Sequence, residues 1–305
     1  MSETIKIKVP ASTSNLGPGF DTLSLALDWY NEFTFKITKE GLKINQQNSS
    51  NLPVDKTNLV YRAFCEVFKK LNKTPPGIEL DINCQLPLAA GLGSSASAVV
   101  SGLLAADHLL GNPLKKYEIM SLATKLEGHP DNAAAAIYGG LTISVSFDEK
   151  VYVNQFPWPK ELLIIVLIPN FELPTSISRE LLPPKIPFGD ATFNISRVAY
   201  LLSSLLNKNW EGLKIGFQDR LHQPFRKDLV PGMEEVLNEA VSSGAYGATL
   251  SGAGPTLVAF VTDKNKAESI AKKMISKWEE FKVKSSYKIL NVSSCGAMVE
   301  SLVAK

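Results

Sequence analysis

The sequence predicts an α+β fold in two units, and three observations carry that expectation. Short alternating strands and helices of unequal length follow one another unevenly, which suits antiparallel sheets better than a doubly wound parallel sheet. A proline-aromatic break, Phe156-Pro157-Trp158-Pro159, interrupts the pattern near the middle. A fresh apolar run, Leu162 to Ile168, starts just after it. The expected units are therefore 1–158 and 159–305, and 305 residues leave room for two domains sharing a cleft.

The elements follow in order. Ile5, Ile7 and Val9 alternate with lysines before Pro10, predicting a strand over 4–9. Phe33, Phe35 and Ile37 repeat the alternation, as do Ile78, Leu80, Ile82 and Cys84. Between them, Val60, Ala63, Phe64, Val67, Phe68 and Leu71 recur at helical spacing over 58–71. An Ala/Ser/Val/Leu helix runs from Ser94 to Leu110 and stops at Gly111, with Pro113 beyond. A further helix leads to Glu127, a short one follows Asp131, and Leu141, Ile143, Val145 and Phe147 form a strand. After the break come the buried strand, a helix over 176–182, a proline-rich link and helices over 192–207 and 233–243. Two strands (the second Thr256–Thr262), a helix over 267–280 and a strand over 286–292 complete the set.

Composition excludes several classes. Hydrophobic residues make up 45% and charged residues 20%, as in an ordinary globular protein. Net charge is +2 with no long basic run, so neither nucleic acid nor an anionic membrane surface is an expected partner. Cys65, Cys84 and Cys295 are too scattered for a disulfide framework or a metal spacing. The segment MSETIKIKVP lacks a signal-peptide core, and the longest apolar run is too short to cross a bilayer. A reduced, unanchored, cytoplasmic protein is expected.

The most informative stretch is Pro87-Leu88-Ala89-Ala90-Gly91-Leu92-Gly93-Ser94-Ser95-Ala96-Ser97, between a predicted strand and a predicted helix. Glycines let backbone N–H groups approach an anion, and a helix start favours phosphate. Ser94 and Ser95 add hydroxyls suited to a phosphate oxygen or Mg²⁺. A plain turn capped by Ser94 competes with this reading. So does a dinucleotide fingerprint on Gly91, Gly93 and Ala96, although its acidic residue after a second parallel strand is missing. A Walker loop is excluded, since no Lys-Ser/Thr pair follows the glycines. A nucleotide phosphate loop of another class fits best.

The run GLGSSAS after Pro87 resembles the signature of the galactokinase, homoserine kinase, mevalonate kinase and phosphomevalonate kinase family, the GHMP kinases. Residues 10–21, PASTSNLGPGFD, look like the N-terminal motif of the family's homoserine kinases, and residues 251–255, SGAGP, look like its C-terminal glycine loop. The resemblance spans nearly the whole chain. It implies an N-terminal domain of the ribosomal protein S5 domain 2 type, a C-terminal ferredoxin-like domain and an active site between them. It also implies ATP and Mg²⁺, a small-molecule alcohol as acceptor, L-homoserine in first place, and a homodimer.

The same resemblance assigns residues. Residues 87–97 cradle the nucleotide phosphates, Ser95 and Glu127 hold Mg²⁺, and Asn58 lies on the adenine side, where a helix cap is its plainer role. A zwitterionic acceptor needs a cation, an acid and a polar group at its hydroxyl. Asp21, with Asn15 beside it, is the expected ammonium partner, and Arg179 and Arg226 the expected carboxylate partners. At the hydroxyl stand His129, Asp131 and Asn132 of GHPDN, with Thr175 reaching from the second unit. Asn132 cannot take a proton, so alignment and charge neutralisation are expected to carry catalysis; Asp131 as a base is the alternative. His108 is given no role, and His222 is read as support for the fold. A mevalonate-like or sugar acceptor, or a non-catalytic nucleotide-binding regulator, are the other readings.

Overall fold

The computed structural model describes residues 3–48 and 52–303. The first half contains β1 (Glu3–Ser14), β2 (Leu23–Thr38), β3 (Leu42–Gln47), α1 (Leu59–Lys70), β4 (Gly77–Asn83), α2 (Ser94–Leu109), α3 (Lys116–Glu127), α4 (Asp131–Tyr138), β5 (Leu141–Phe147) and β6 (Lys150–Phe156). The second contains β7 (Leu163–Pro169), α5 (Thr175–Glu180), α6 (Phe188–Leu206), α7 (Leu213–Gly216), α8 (Gln223–Arg226), α9 (Met233–Ser242), β8 (Gly247–Leu250), β9 (Leu257–Val261), α10 (Lys264–Glu280), β10 (Ser285–Leu290) and β11 (Met298–Val303).

Two sheets organise these elements. A seven-stranded sheet runs β11-β1-β2-β4-β3, with β5 and β6 attached along β2. Its pairings are antiparallel except β3 with β4. The second sheet, β10-β7-β9-β8, is antiparallel throughout. Its strands lie in the order fourth, first, third, second, with α10 between the last two in sequence. That is the ferredoxin-like order the resemblance implies.

Alternation explains the packing. Ile5, Ile7 and Val9 on β1 join Phe33 and Phe35 on β2 in a core closed by Val60, Phe64 and Val67 of α1 and by Val99, Val100 and Leu103 of α2. Each such side chain contributes about 1.5–3 kcal/mol when fully buried. The continuous run on β7 is buried on both faces. Ile164 and Val166 pack with Leu25, Leu201, Phe217 and Phe260, whereas Ile165 and Leu167 pack with Met233, Val236, Ile270 and Trp278.

Two features depart from the expectations. The strand predicted to end at Pro10 continues to Ser14, because the register shifts between Pro10 and Ala11 and the proline is accommodated at that irregularity. The last strand, β11, pairs with β1 across Glu3–Lys8, so the chain returns to the first sheet rather than finishing in the second unit. A division at 158/159 separates β6 from β7 but leaves β11 on the wrong side.

Candidate active site

Between the two sheets lies a cleft of about 430 Å³, lined by β1, the 89–95 loop, the ends of α3 and α4, α5, Arg226 and the 252–253 turn. Residues 89–95 face it, whereas Pro87, Leu88, Ala96 and Ser97 do not. Ala96 and Ser97 are buried, and Ser97 Oγ donates to Ser94 O and accepts from Asn31 Nδ2. These two residues therefore secure the start of α2 instead of touching a ligand.

The loop glycines answer first to the protein itself. Gly91 and Gly93 have φ of +75° and +71°, the left-handed region that glycine tolerates. A Cβ on Gly91 would overlap the carbonyl of Ser251, and one on Gly93 would overlap Ser12 Oγ and lie 3.2 Å from Asn132 Oδ1. Ser251 Oγ donates to Gly91 O at 2.7 Å, so the SGAGP turn clamps the 89–95 loop from the second sheet. Gly93 leaves the first helical amides of α2 uncovered at the cleft, as an anion site requires.

Ser95 and Glu127 come together. Ser95 Oγ donates to Glu127 Oε1 at 2.7 Å, from the first turn of α2 to the last residue of α3. Burial pushes the Glu127 carboxyl up, opposed by the Ser95 hydrogen bond. A hydroxyl and a desolvated carboxylate are hard oxygen donors that suit Mg²⁺, and a dication would relieve the strain on the acid. The residues fit the ion.

Asn132 is held on both sides of its amide. Ser12 Oγ donates to Oδ1 at 2.8 Å, and Nδ2 donates to Ser14 Oγ at 3.1 Å. Asp131 is 2% exposed and accepts from the Asn132 backbone N–H while pairing with His129 Nδ1, both at 2.7 Å. Burial alone would raise the Asp131 carboxyl, but the hydrogen bond and charge of His129 prevail and hold it below the usual range. For His129, burial works downward, and the hydrogen bond and charge of Asp131 lift the ring above its ordinary value. His129 and the Asn132 amide occupy the Asp131 carboxylate, which argues against Asp131 as a base, and the contact orients the His129 ring.

The acceptor side differs from expectation. Asp21 and Arg179, assigned to opposite charges of a ligand, form a two-pronged pair with each other at 2.6 and 3.0 Å. The hydrogen bonds that Arg179 donates to Asp21 raise its pKa further, and Arg179 Nε is buried with no partner among the described residues. Arg226 is 1% exposed, and no carboxylate lies within ion-pair distance of it among the described residues. Its Nε donates to Ser178 O and its Nη1 to Gly252 O and His222 Nδ1. Nη2 has no partner among the described residues, and the side chain lines the cleft. Desolvation, then the charge of Arg179, lowers its pKa to about 10, so it remains a cation at neutral pH. Asn15 takes φ +69° and braces the loop, its Nδ2 donating to Gly252 O and its Oδ1 accepting from Asp21 N. Thr175 opens α5 on the facing wall.

Asn58 takes the helix-cap role. Its Oδ1 accepts from Val60 N, its Nδ2 donates to Pro53 O, and it is 2% exposed. The side chain is spent on capping α1, and Leu59 rather than Asn58 reaches the cleft wall. Sequence reasoning missed Ser12 and Ser14. Their i, i+2 spacing on β1 puts both on one face, and that is the signal that could have found them.

Known proteins resemble this chain in sequence and in fold. The pattern described as GHMP kinases N terminal domain matches residues 58–140, and that described as GHMP kinases C terminal matches residues 199–280. The homoserine kinase of Crocosphaera subtropica is 41% identical over 303 residues, covering 98% of each chain. That of Halothermothrix orenii is 43% identical over 92% of this chain and 91% of its own. The crystal structure of homoserine kinase from Cytophaga hutchinsonii superposes with a TM-score of 0.89 at 29% identity, covering 97% of both chains. End-to-end likeness in sequence and in fold leaves one assignment: the chain belongs to the GHMP kinases, in the homoserine kinase group.

Proposed function

We propose that this protein transfers the γ-phosphoryl group of ATP to the side-chain hydroxyl of L-homoserine, giving O-phospho-L-homoserine and ADP, a step of threonine biosynthesis. The observation that carries the choice of acceptor is Arg226, a buried cation with Nη2 unclaimed, beside the Asp21–Arg179 pair. An amino acid carries its carboxylate and ammonium on one carbon, so an adjoining carboxylate and guanidinium suit both ends of that group. A sugar has neither charge, and mevalonate offers nothing cationic to Asp21.

Phosphoryl transfer asks for alignment and charge neutralisation. The bond from the γ-phosphorus to the bridging oxygen of ADP breaks, and one to the homoserine oxygen forms. The hydroxyl proton leaves through the phosphoryl oxygens or solvent. The uncovered amides at the start of α2 and the 89–95 loop hold the phosphates. Asn132, fixed by Ser12 and Ser14, orients the hydroxyl, with Thr175 opposite. His129 presents its ring from the same wall. Mg²⁺, held through Ser95 and Glu127, would neutralise charge on the β- and γ-phosphates. No helix among the described residues is long and apolar enough to cross a membrane.

The direct test is ADP release with homoserine, 4-hydroxybutyrate, 3-aminopropan-1-ol, mevalonate and a hexose as acceptors. Homoserine should give the highest kcat/KM, with each single-charge analogue at least tenfold lower. A faster reaction with mevalonate or the hexose overturns the reading. For the metal pair, Glu127→Gln should lower kcat and shift the Mg²⁺ titration to higher concentration while the homoserine KM stays put. An unchanged titration removes Glu127 from the metal site.

A further inference from the structure

The buried face of Arg226 is organised by a histidine outside the cleft. His222 is 0% exposed, and its two ring nitrogens have different partners. Nδ1 lies 3.0 Å from Arg226 Nη1, and Nε2 lies 2.8 Å from Gly17 O. A guanidinium can only donate and a carbonyl can only accept. The two neighbours therefore select one neutral tautomer, with the proton on Nε2 and the lone pair on Nδ1. Around the ring, Asp219 accepts from the backbone N–H groups of Leu221, His222 and Gln223 and from Asn194 Nδ2, which fixes the turn carrying the histidine. Phe20 stacks on the imidazole with centroids 5.4 Å apart, and the same ring lies 5.5 Å from both the Arg179 and Arg226 guanidinium carbons.

We propose that His222 is a positioning residue for the acceptor site: as the Nε2–H tautomer it ties Arg226 to the Gly17–Asp21 loop and so aims the free edge of the guanidinium at the acceptor's carboxylate. This rests on the reading of Arg226 as the carboxylate partner. A guanidinium donates readily, but nothing in its own chemistry makes it hold one rotation; three acceptors, Ser178 O, Gly252 O and His222 Nδ1, do so here. Gly252 O also accepts from Asn15 at the start of the loop carrying Phe20 and Asp21, but His222 reaches further into it, through Gly17 O and the stacked Phe20 ring, and so sets Arg226 relative to the Asp21–Arg179 pair.

Protonation would reverse the contact. An imidazolium would turn an N–H and a positive charge toward Arg226. Burial holds the ring below its ordinary pKa, aided by Arg226; Asp219, 3.6 Å from Nε2, and the more distant Asp21 act the other way. Because the folded pKa is depressed, the positioning contact is complete at neutral pH and is lost only as pH falls through the folded value, below where a free imidazole charges.

The experiment compares His222→Asn, whose amide oxygen can replace Nδ1 as acceptor, with His222→Leu, which offers none. Leucine should raise the homoserine KM at least tenfold at pH 7.5, with the ATP KM and the kcat/KM for 3-aminopropan-1-ol changed less than twofold. Asparagine should recover most of the homoserine KM. In the parent enzyme the homoserine KM should climb as the pH is lowered into the acid range where the buried ring charges, and the leucine variant should lack that rise. Equal effects of leucine on both acceptors, or a loss only in Tm, would mean that the histidine merely supports the fold and would overturn the proposal. Arg226→Ala, run alongside, separates the two readings. If it leaves the homoserine KM unchanged, the carboxylate assignment itself fails; if it raises that KM while His222→Leu does not, only the positioning role fails.

Discussion

Arg226→Ala is expected to raise the KM for homoserine roughly a hundredfold or more at about 1.4 kcal/mol per tenfold. The reason is that a charge-assisted contact with a buried carboxylate costs on the order of 2–5 kcal/mol when one partner is removed. The ATP KM should barely move, because the 89–95 loop and the Ser95–Glu127 pair stand apart from Arg226 in the cleft. Lysine should restore only part of the affinity, since it keeps a charge but loses the planar fork. The carboxylate-free acceptor 3-aminopropan-1-ol supplies the control, because the contact is already absent there and the substitution should cost little more. Arg226 also hydrogen-bonds Ser178 O and Gly252 O, so Tm must be followed in parallel. An unchanged homoserine KM in a folded variant would sink the amino-acid reading.

Gly93→Ala should abolish most activity, and the geometry identifies the cause. The residue's φ of +71° costs an L-amino acid about 1–2 kcal/mol. The larger effect comes from the new Cβ, which overlaps Ser12 Oγ, the group that orients Asn132. Misplacing an aligning group by about 1 Å can cost on the order of a hundredfold in rate. Reasoning from sequence alone would attribute the loss to phosphates pushed off the backbone amides. The two causes separate in a double variant: Ser12→Ala removes the overlapping oxygen and should restore part of the kcat lost by Gly93→Ala. If the ATP KM is raised in both variants and kcat does not recover, crowding of the phosphates is the cause instead.

Much of the fold was legible because its signals are local. Alternation on β1 and β2, the helical spacing of α1, and the Gly-Ser entry to α2 each depend on a few adjacent residues. What escaped depends on partners distant in sequence. The pairing of β11 with β1 joins residues nearly 300 apart, and nothing in MVESLV announces its neighbour. The candidate site divides the same way. The GHPDN cluster could be read as polar residues in suggestive company, whereas Ser95 and Glu127, 32 residues apart, could be paired only through the family resemblance. The mutual pairing of Asp21 with Arg179 could not, since each looks equally ready for a ligand until the loop and α5 are brought together. Asn58 carried two compatible roles in sequence, and only the direction of its amide distinguished them.

The return of β11 to the first sheet bears on how the chain is made. Synthesis proceeds from the N-terminus, so β1 emerges long before β11, its neighbour on one side. Until residues 298–303 leave the ribosome, the outer edge of β1 offers its unpaired amides and carbonyls to any passing strand, a known hazard of open edges. β1 also carries Ser12 and Ser14, whose hydroxyls fix Asn132. The nascent first half can therefore collect its helices and its 89–95 loop early, but the strand that fixes Asn132 is sealed on that edge only after the whole second sheet has been made.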